Sequence, residues 1–261
     1  MSRIAADSYS NVDGSRAILD RLSLYVFGFI SLFLLWGLAS FFVANPVFLP
    51  SPVLVLQVLY KQFSNGDLAH DIIVSVVRVL TGFFIGVGVA FPLGIAVGLN
   101  RTLFNAAEPI VEFFRAIPPY AMIPFALLAW GIGDFAQIFV LAYASFFPIV
   151  VNTIAAVQSV PGRLVEAAQT LGADSRFLVR HVVVPAAVPQ VLVGLRLGFG
   201  AAWIALIAAE MVGASDGLGF LISDAREILD TPTVVGGMLV IGLIGYISNQ
   251  ALLAIEQWSR K

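Results

Sequence analysis

The sequence predicts an all-α integral membrane protein with six transmembrane helices, and three observations lead there. Hydrophobic residues make up 59% of the chain and charged residues 11%, against about 45–50% and about 25% in ordinary soluble domains. Apolar runs long enough to cross a hydrocarbon core of ~30 Å, which takes about 20 residues, recur along the chain. In one of them Gly82, Gly86, Ala90, Gly94 and Gly98 repeat every four residues, a nearly bare helix face suited to close packing in lipid. The same composition excludes other classes. The chain has no cysteine, so neither a disulfide framework nor a thiolate metal site is available. His70 and His181 are the only histidines, too far apart in sequence to suggest a metal centre or a serine–histidine relay. A net charge of −2 without any block of like charges gives no sign of a nucleic-acid partner.

Residues 1–20 are polar, mixed in charge and without apolar period, and read as a cytoplasmic tail; residues 21–261 read as one transmembrane domain. The first span, about 22–44, carries no charged residue. It is longer than the ~7–15 apolar residues of a signal peptide, and the following Asn45-Pro-Val-Phe-Leu-Pro-Ser-Pro52 lacks a small-x-small cleavage site. Val53 to Phe63 is weakly polar and is expected along the outer interface. The second span is the glycine-striped segment of about 79–99. Arg115-Ala-Ile-Pro-Pro-Tyr-Ala-Met-Ile-Pro124 opens a third, about 116–132. Its prolines remove backbone donors, so a late start or a break is expected, of the kind tolerated where a segment is buried or lines a cavity. The remaining spans are about 135–157, 182–209 and 234–255. A longer loop, 210–232, contains Gly217-Leu-Gly-Phe-Leu-Ile222.

Lys and Arg counts set the orientation. With the N-terminus inside, ten fall in inside segments and three, Lys61, Arg78 and Arg226, outside. Both termini and the 158–181 loop are therefore expected in the cytoplasm. That loop is moderately polar between two strongly apolar runs. As a helix, it places Leu164, Ala167, Ala168 and Leu171 at i, i+3, i+4 and i+7, one flat apolar stripe. Gly172 is expected to stop that helix, and Asp174 or Ser175 to cap a second one leading into the next span.

Glu166-Ala-Ala, three residues, Gly172, nine residues, then Val182-x-Val184-Pro185 resembles the EAA loop of ABC-importer permeases, with valine replacing the usual isoleucine and leucine. Leu49-Pro-Ser-Pro52, Ser75-x-x-Arg78, Arg115-Ala-Ile-Pro-Pro119, Trp130-Gly-Ile-Gly-Asp134, Phe147-Pro-Ile-Val-Val-Asn-Thr153 and Gly194-Leu-Arg196 are similar to the taurine, sulfonate, nitrate and bicarbonate branch of that family, from about residue 48 onward. The resemblance implies a permease in the bacterial inner membrane, with a cytoplasmic coupling helix between spans four and five. It also implies a second permease chain, in a dimer expected to be a homodimer, two ABC ATPase subunits and an extracytoplasmic solute-binding protein. No cofactor is expected on this chain, and ATP and Mg belong to the ATPase. A GxxxxGK[ST] motif is absent from the sequence.

The resemblance makes Glu166 a polar contact in the ATPase groove, with Ala167, Ala168, Leu171, Gly172, Asp174 and Pro185 shaping the same loop. The plainer reading is a first-turn glutamate favoured by the helix dipole, and both can hold. Arg196 lies roughly 16 Å past Pro185 along a helix. A charge so deep needs a partner or a function, either in an anion pathway or as a tie to helix-end carbonyls or to a carboxylate such as Glu210 of the partner chain. Phe147, Phe199 and Trp203 are pore candidates with packing as the commoner fate of such residues. Glu210, Gly217, Gly219 and Asp224 are candidates for an outer gate or a contact with the binding protein, against an ordinary solvated loop. A membrane-embedded enzyme would need a catalytic constellation inside the spans, and the expected spans hold neither aspartate nor histidine. A stand-alone secondary transporter commonly shows inverted repeats and midplane carboxylates, which the sequence does not display.

Overall fold

The computed structural model describes residue 24 and residues 27–259, and every regular element among them is helical. The expected tail, 1–20, lies outside the described residues. The elements run α1 (Phe27–Val43), α2 (Pro52–Asn65), α3 (Asp67–Leu99), α4 (Arg101–Arg115), a 3-10 turn (Pro119–Met122), α5 (Ile123–Trp130), α6 (Asp134–Gln158), α7 (Gly162–Thr170), α8 (Ser175–Leu178), a π turn (Val179–Val183), α9 (Val184–Gly213), α10 (Leu218–Glu227) and α11 (Thr231–Ser259). Four stretches are long and apolar enough to cross a membrane: α3, α6, the continuous Ser175–Gly213 and α11. The bent pair of α4 with the segment Pro119–Trp130 makes a fifth if taken as one span. α1 is apolar but shorter, so among the described residues four or five crossings meet the length and composition needed, against the six expected.

Three expected boundaries change. The second span starts at Asp67 rather than near 79, because Ser75 and Arg78 find buried partners and the helix continues through them. The third span, 116–132, is not one helix. Pro118 adopts an extended backbone and the 3-10 turn follows. α5 alone is about 12 Å long at 1.5 Å per residue, and it is bent 84° away from α4. Residues 101–115, expected only as an inside segment, form the helix α4, which is half of a fifth crossing if the bent pair is taken as one span. The third change is at 210–232, where the ten-residue α10 stands within the expected loop and buries Leu218, Gly219, Ile222, Ser223 and Ala225. Arg78 accordingly leaves the loop charge count, and its asymmetry persists.

The core is a three-helix sandwich with α6 in the middle. On one side the glycine stripe of α3 lies against it: a Cβ on Gly82 would sit 2.5 Å from the Leu141 Cβ, on Gly94 2.6 Å from the Thr153 Cβ, and on Gly98 2.8 Å from the Val157 Cβ. On the other side Gly194 and Gly198 of α9 meet Asn152 and Ile149 at 2.6 Å in the same sense. Leu141, Ile149 and Val150 are sealed between the two seams with no exposure. α1 stands at the edge, joined through Trp36 Nε1 donating to the Pro50 carbonyl at 3.0 Å and Ser40 Oγ donating to that of Leu49 at 3.0 Å.

Enlarging a seam glycine should therefore cost stability, whereas an exposed one in the same helix should not. Gly94→Leu is expected to lower the thermal unfolding midpoint in detergent, by overpacking worth about 1–3 kcal/mol. Gly88→Leu, where a Cβ meets nothing within 4 Å, should leave the midpoint where it is.

Candidate functional site

Three constellations carry polar chemistry, and the loop between α6 and α9 is the first. α7 ends as expected: Gly172 takes φ +85, and its N–H and that of Ala173 donate to Gln169 and Ala168 carbonyls at 2.9 and 3.0 Å, satisfying the orphan acceptors of the last turn. Asp174 caps α8 by accepting from the Phe177 N–H at 2.8 Å. Of the apolar stripe, Leu164, Ala167 and Leu171 are exposed, Leu171 at 89%, and Ala168 is half-buried. Glu166 is exposed on the same short helix. A cleft of 370 Å³ lies between Ala168, Leu171, Asp174 and Phe177. α7 is thus a small, apolar-faced projection whose stripe is largely uncovered by the rest of its own chain. Pro185 sits in the first turn of α9, which continues α8 through the π turn into the membrane.

Arg196 is the second. Its Nε lies 3.3 Å from Glu256 Oε2, on a carboxylate 7% exposed, so α9 and α11 of one chain are joined. The proposed carboxylate, Glu210 of the partner chain, is instead engaged elsewhere within this one. The aromatic candidates are packed. Trp203 is buried and donates from Nε1 to the Ile241 carbonyl at 3.2 Å. Phe147 is buried beside Tyr143 and Phe146. Phe199, half-buried, lies edge-on to Phe83.

The third is a clasp at the other end of the bundle from α7, built around Arg78, whose importance the sequence did not reveal. Its guanidinium meets Asp134 Oδ1 at 2.7 Å, Glu210 Oε1 at 3.0 Å, the Asp216 carbonyl at 2.8 Å and the Asp216 carboxylate. Glu210, fully buried, also accepts from Ser75 Oγ at 2.8 Å and from the Gly219 N–H at 2.8 Å. The Leu218 N–H donates to Ser75 Oγ and that of Gly217 to Asp71 Oδ1, each at 2.9 Å. Gly217 has φ +102, and a Cβ there would come within 2.9 Å of Arg78 Nη1; on Gly219 it would meet the Glu210 Cβ at 2.6 Å. Glu210, Gly217 and Gly219 are therefore interior parts of a tie between α3, α6, α9 and α10. Of the residues expected at an outer contact, Asp224 alone is exposed. The available signal was Ser75-x-x-Arg78 at helical spacing in an otherwise apolar run, an ionisable residue at membrane depth with a partner to be named. Among the described residues no group of His, Cys, Asp and Glu is arranged to hold a metal ion.

Comparison with known proteins agrees with this architecture. Residues 82–261 match the family described as binding-protein-dependent transport system inner membrane component. A chain of Methanocaldococcus jannaschii, provisionally described as an ABC transporter permease protein, is 41% identical over 85% of this chain and 85% of its own. The taurine transport system permease protein of Escherichia coli (strain K12) is 35% identical, covering 85% and 82%. The nitrate import permease protein of Synechocystis is 33% identical, covering 80% and 79%. Among solved structures, an inward-facing methionine ABC transporter matches in fold with a TM-score of 0.66 at 22% identity, over 74% of this chain and 96% of that one.

Removing Arg78 leaves Glu210 buried without its charge partner, a loss worth about 3–5 kcal/mol. Arg78→Leu should abolish recovery of monodisperse protein, and adding Glu210→Gln should restore part of it; equal recovery of all three chains would contradict the clasp. The Arg196–Glu256 pair is tested by exchange. Each of Arg196→Glu and Glu256→Arg should lower the unfolding midpoint, and the double exchange should recover at least half of the loss.

Proposed function

The chain belongs to the family of binding-protein-dependent transport system inner membrane components, and on that premise we propose that it is one of two identical permease chains of an ATP-driven importer. In this reading ATP and Mg are bound and hydrolysed by two separate ABC ATPase subunits, and a solute-binding protein delivers a small solute from the other side of the inner membrane. Relatives named for taurine and nitrate transport support an anionic or sulfonate-bearing solute. The positive-inside asymmetry supports cytoplasmic termini.

The observation that carries the proposal is α7. A helix whose apolar stripe is left uncovered by its own chain, beside an exposed glutamate, fits a groove on another protein. Its small residues keep the approach close. Ala167, Ala168 and Gly172 let the partner reach the backbone, Leu171 supplies the apolar anchor, and Glu166 supplies a charged hydrogen-bond acceptor. Asp174 holds α8 in line, so a displacement of α7 passes into one continuous helix from Ser175 to Gly213. That helix is locked to α6 through Gly194 and Gly198, and a push at the loop tilts the two together. ATP then shifts the permease between states only as far as the ATPase binds them with different free energy.

Co-purification tests this directly. Wild-type chains should capture an ABC ATPase and support ATP turnover, and Glu166→Arg chains should lose at least about tenfold in capture, the effect of ~1.4 kcal/mol at an interface, while remaining membrane-inserted. Failure of wild type to bring down any ATPase would leave the reading without its central partner.

A further inference from the structure

We infer that the polar stripe of α4 is the wall of the solute pathway and that Arg115 is its anion-contacting group at mid-membrane; the inference rests on the importer reading above. α4 divides into three faces. Phe104, Ala107 and Val111 pack against the buried cluster that holds Val97, Ile149, Val150 and Ile154. Leu103, Ala106, Ile110 and Phe113 form an exposed apolar face. Between them Arg101, Asn105, Glu108, Glu112 and Arg115, at i, i+4, i+7, i+11 and i+14, form one continuous exposed polar stripe.

The depth of that stripe makes it informative. Tyr143 Oη donates to the Phe114 carbonyl at 2.6 Å, so the end of α4 lies beside a residue about 14 Å along α6 from Asp134 and about 22 Å from Gln158, at 1.5 Å per residue. α6 crosses the hydrocarbon core, and Arg115 is therefore near its middle. Side-chain exposures of Arg115 and Glu112 are 53% and 52%, and the two are paired with each other. Exposed charges at that depth face water or protein rather than lipid chains. Glu108 and Glu112 border a cleft of 240 Å³ against Val151, Ala155 and Gln158 of α6, so the stripe runs from the α7 end of the bundle up to the point where the helix breaks. A break of this kind is tolerated where the backbone lines a cavity. At its upper end stands a guanidinium, whose planar donors suit a sulfonate or nitrate oxygen pair. Glu112 holds Arg115 until the anion replaces it.

Absence of native cysteine makes the test direct in the full-length, membrane-inserted chain. Glu108→Cys, Glu112→Cys and Arg115→Cys chains should react with a membrane-impermeant methanethiosulfonate at least about tenfold faster than Ile110→Cys, because only a hydrated thiol ionises readily. In the Glu112→Cys chain the sulfonate-bearing reagent should outpace the trimethylammonium one by about tenfold relative to free thiol, as one charge ~6 Å away in water dictates. Adding Arg115→Gln should abolish that preference. Stripe positions as inert as Ile110→Cys would overturn the pathway assignment, as would spontaneous disulfide linkage between copies without reagent reaction, which would mark a packed contact. Reaction without charge preference would overturn the role of Arg115. None of these readouts depends on ATPase capture, so the importer reading stands or falls separately.

Discussion

Lipid chains are as apolar as leucine, so helices in a bilayer gain little by hiding apolar surface from one another, and contact must come from fit. The bundle meets that constraint with glycine on both sides of α6. The stripe of α3 and the pair Gly194 and Gly198 of α9 bring three backbones together, and the side chains of α6 fill the space the glycines leave. Everything functional hangs from this sandwich. α7 projects from the turn between α6 and α9, the clasp closes the opposite end of the same three helices, and α4 leans on the face that α3 and α6 share.

Fit alone does not hold the far ends of such helices, where glycine gives way to loops. There the chain uses charge. Arg78 and Glu210 face each other away from water, an arrangement whose desolvation cost can equal its attraction. Both carboxylate oxygens of Glu210 are therefore engaged, by Ser75, Arg78 and the Gly219 amide. The exposed Asp134 and half-exposed Asp216 add attraction on the wet side of the guanidinium at lower desolvation cost. The consequence is geometric specificity: α10 is seated by backbone amides that have one place to go.

Local signals in the sequence were read where a single element decides the outcome. Gly172 as a helix stop, Asp174 as a cap and the bare face of α3 each follow from one residue's conformation or size. The branch resemblance was legible for a similar reason, since its motifs are contiguous. Features made by distant segments were not. Glu210 and Arg78 are separated by α4, α5, α6, α7 and α8, and only the folded bundle shows them as partners; read singly, each looked like a boundary charge. Arg196 reads in the sequence as either a pathway group or a tie, with Glu210 of the partner chain as one candidate carboxylate, and its pairing with Glu256 shows only when α9 and α11 are packed together.

That α4 is a helix was not anticipated for a different reason. An apolar window detects a span by its average, and a helix with three unlike faces averages to a polar interfacial segment. Yet lining a pathway demands those faces together: one to pack, one for lipid or a second chain, one for water. A helix that met the apolar criterion comfortably would have nothing to offer a charged solute, and a fully polar one could not be held against Val97 and Ile154. The break at Pro118 and Pro119 belongs to the same compromise. It ends the polar stripe of α4 and turns the chain through 84° into the apolar α5. The clasp at the α10 end holds α3, α6, α9 and α10 together with salt bridges and backbone amides rather than with a second polar stripe.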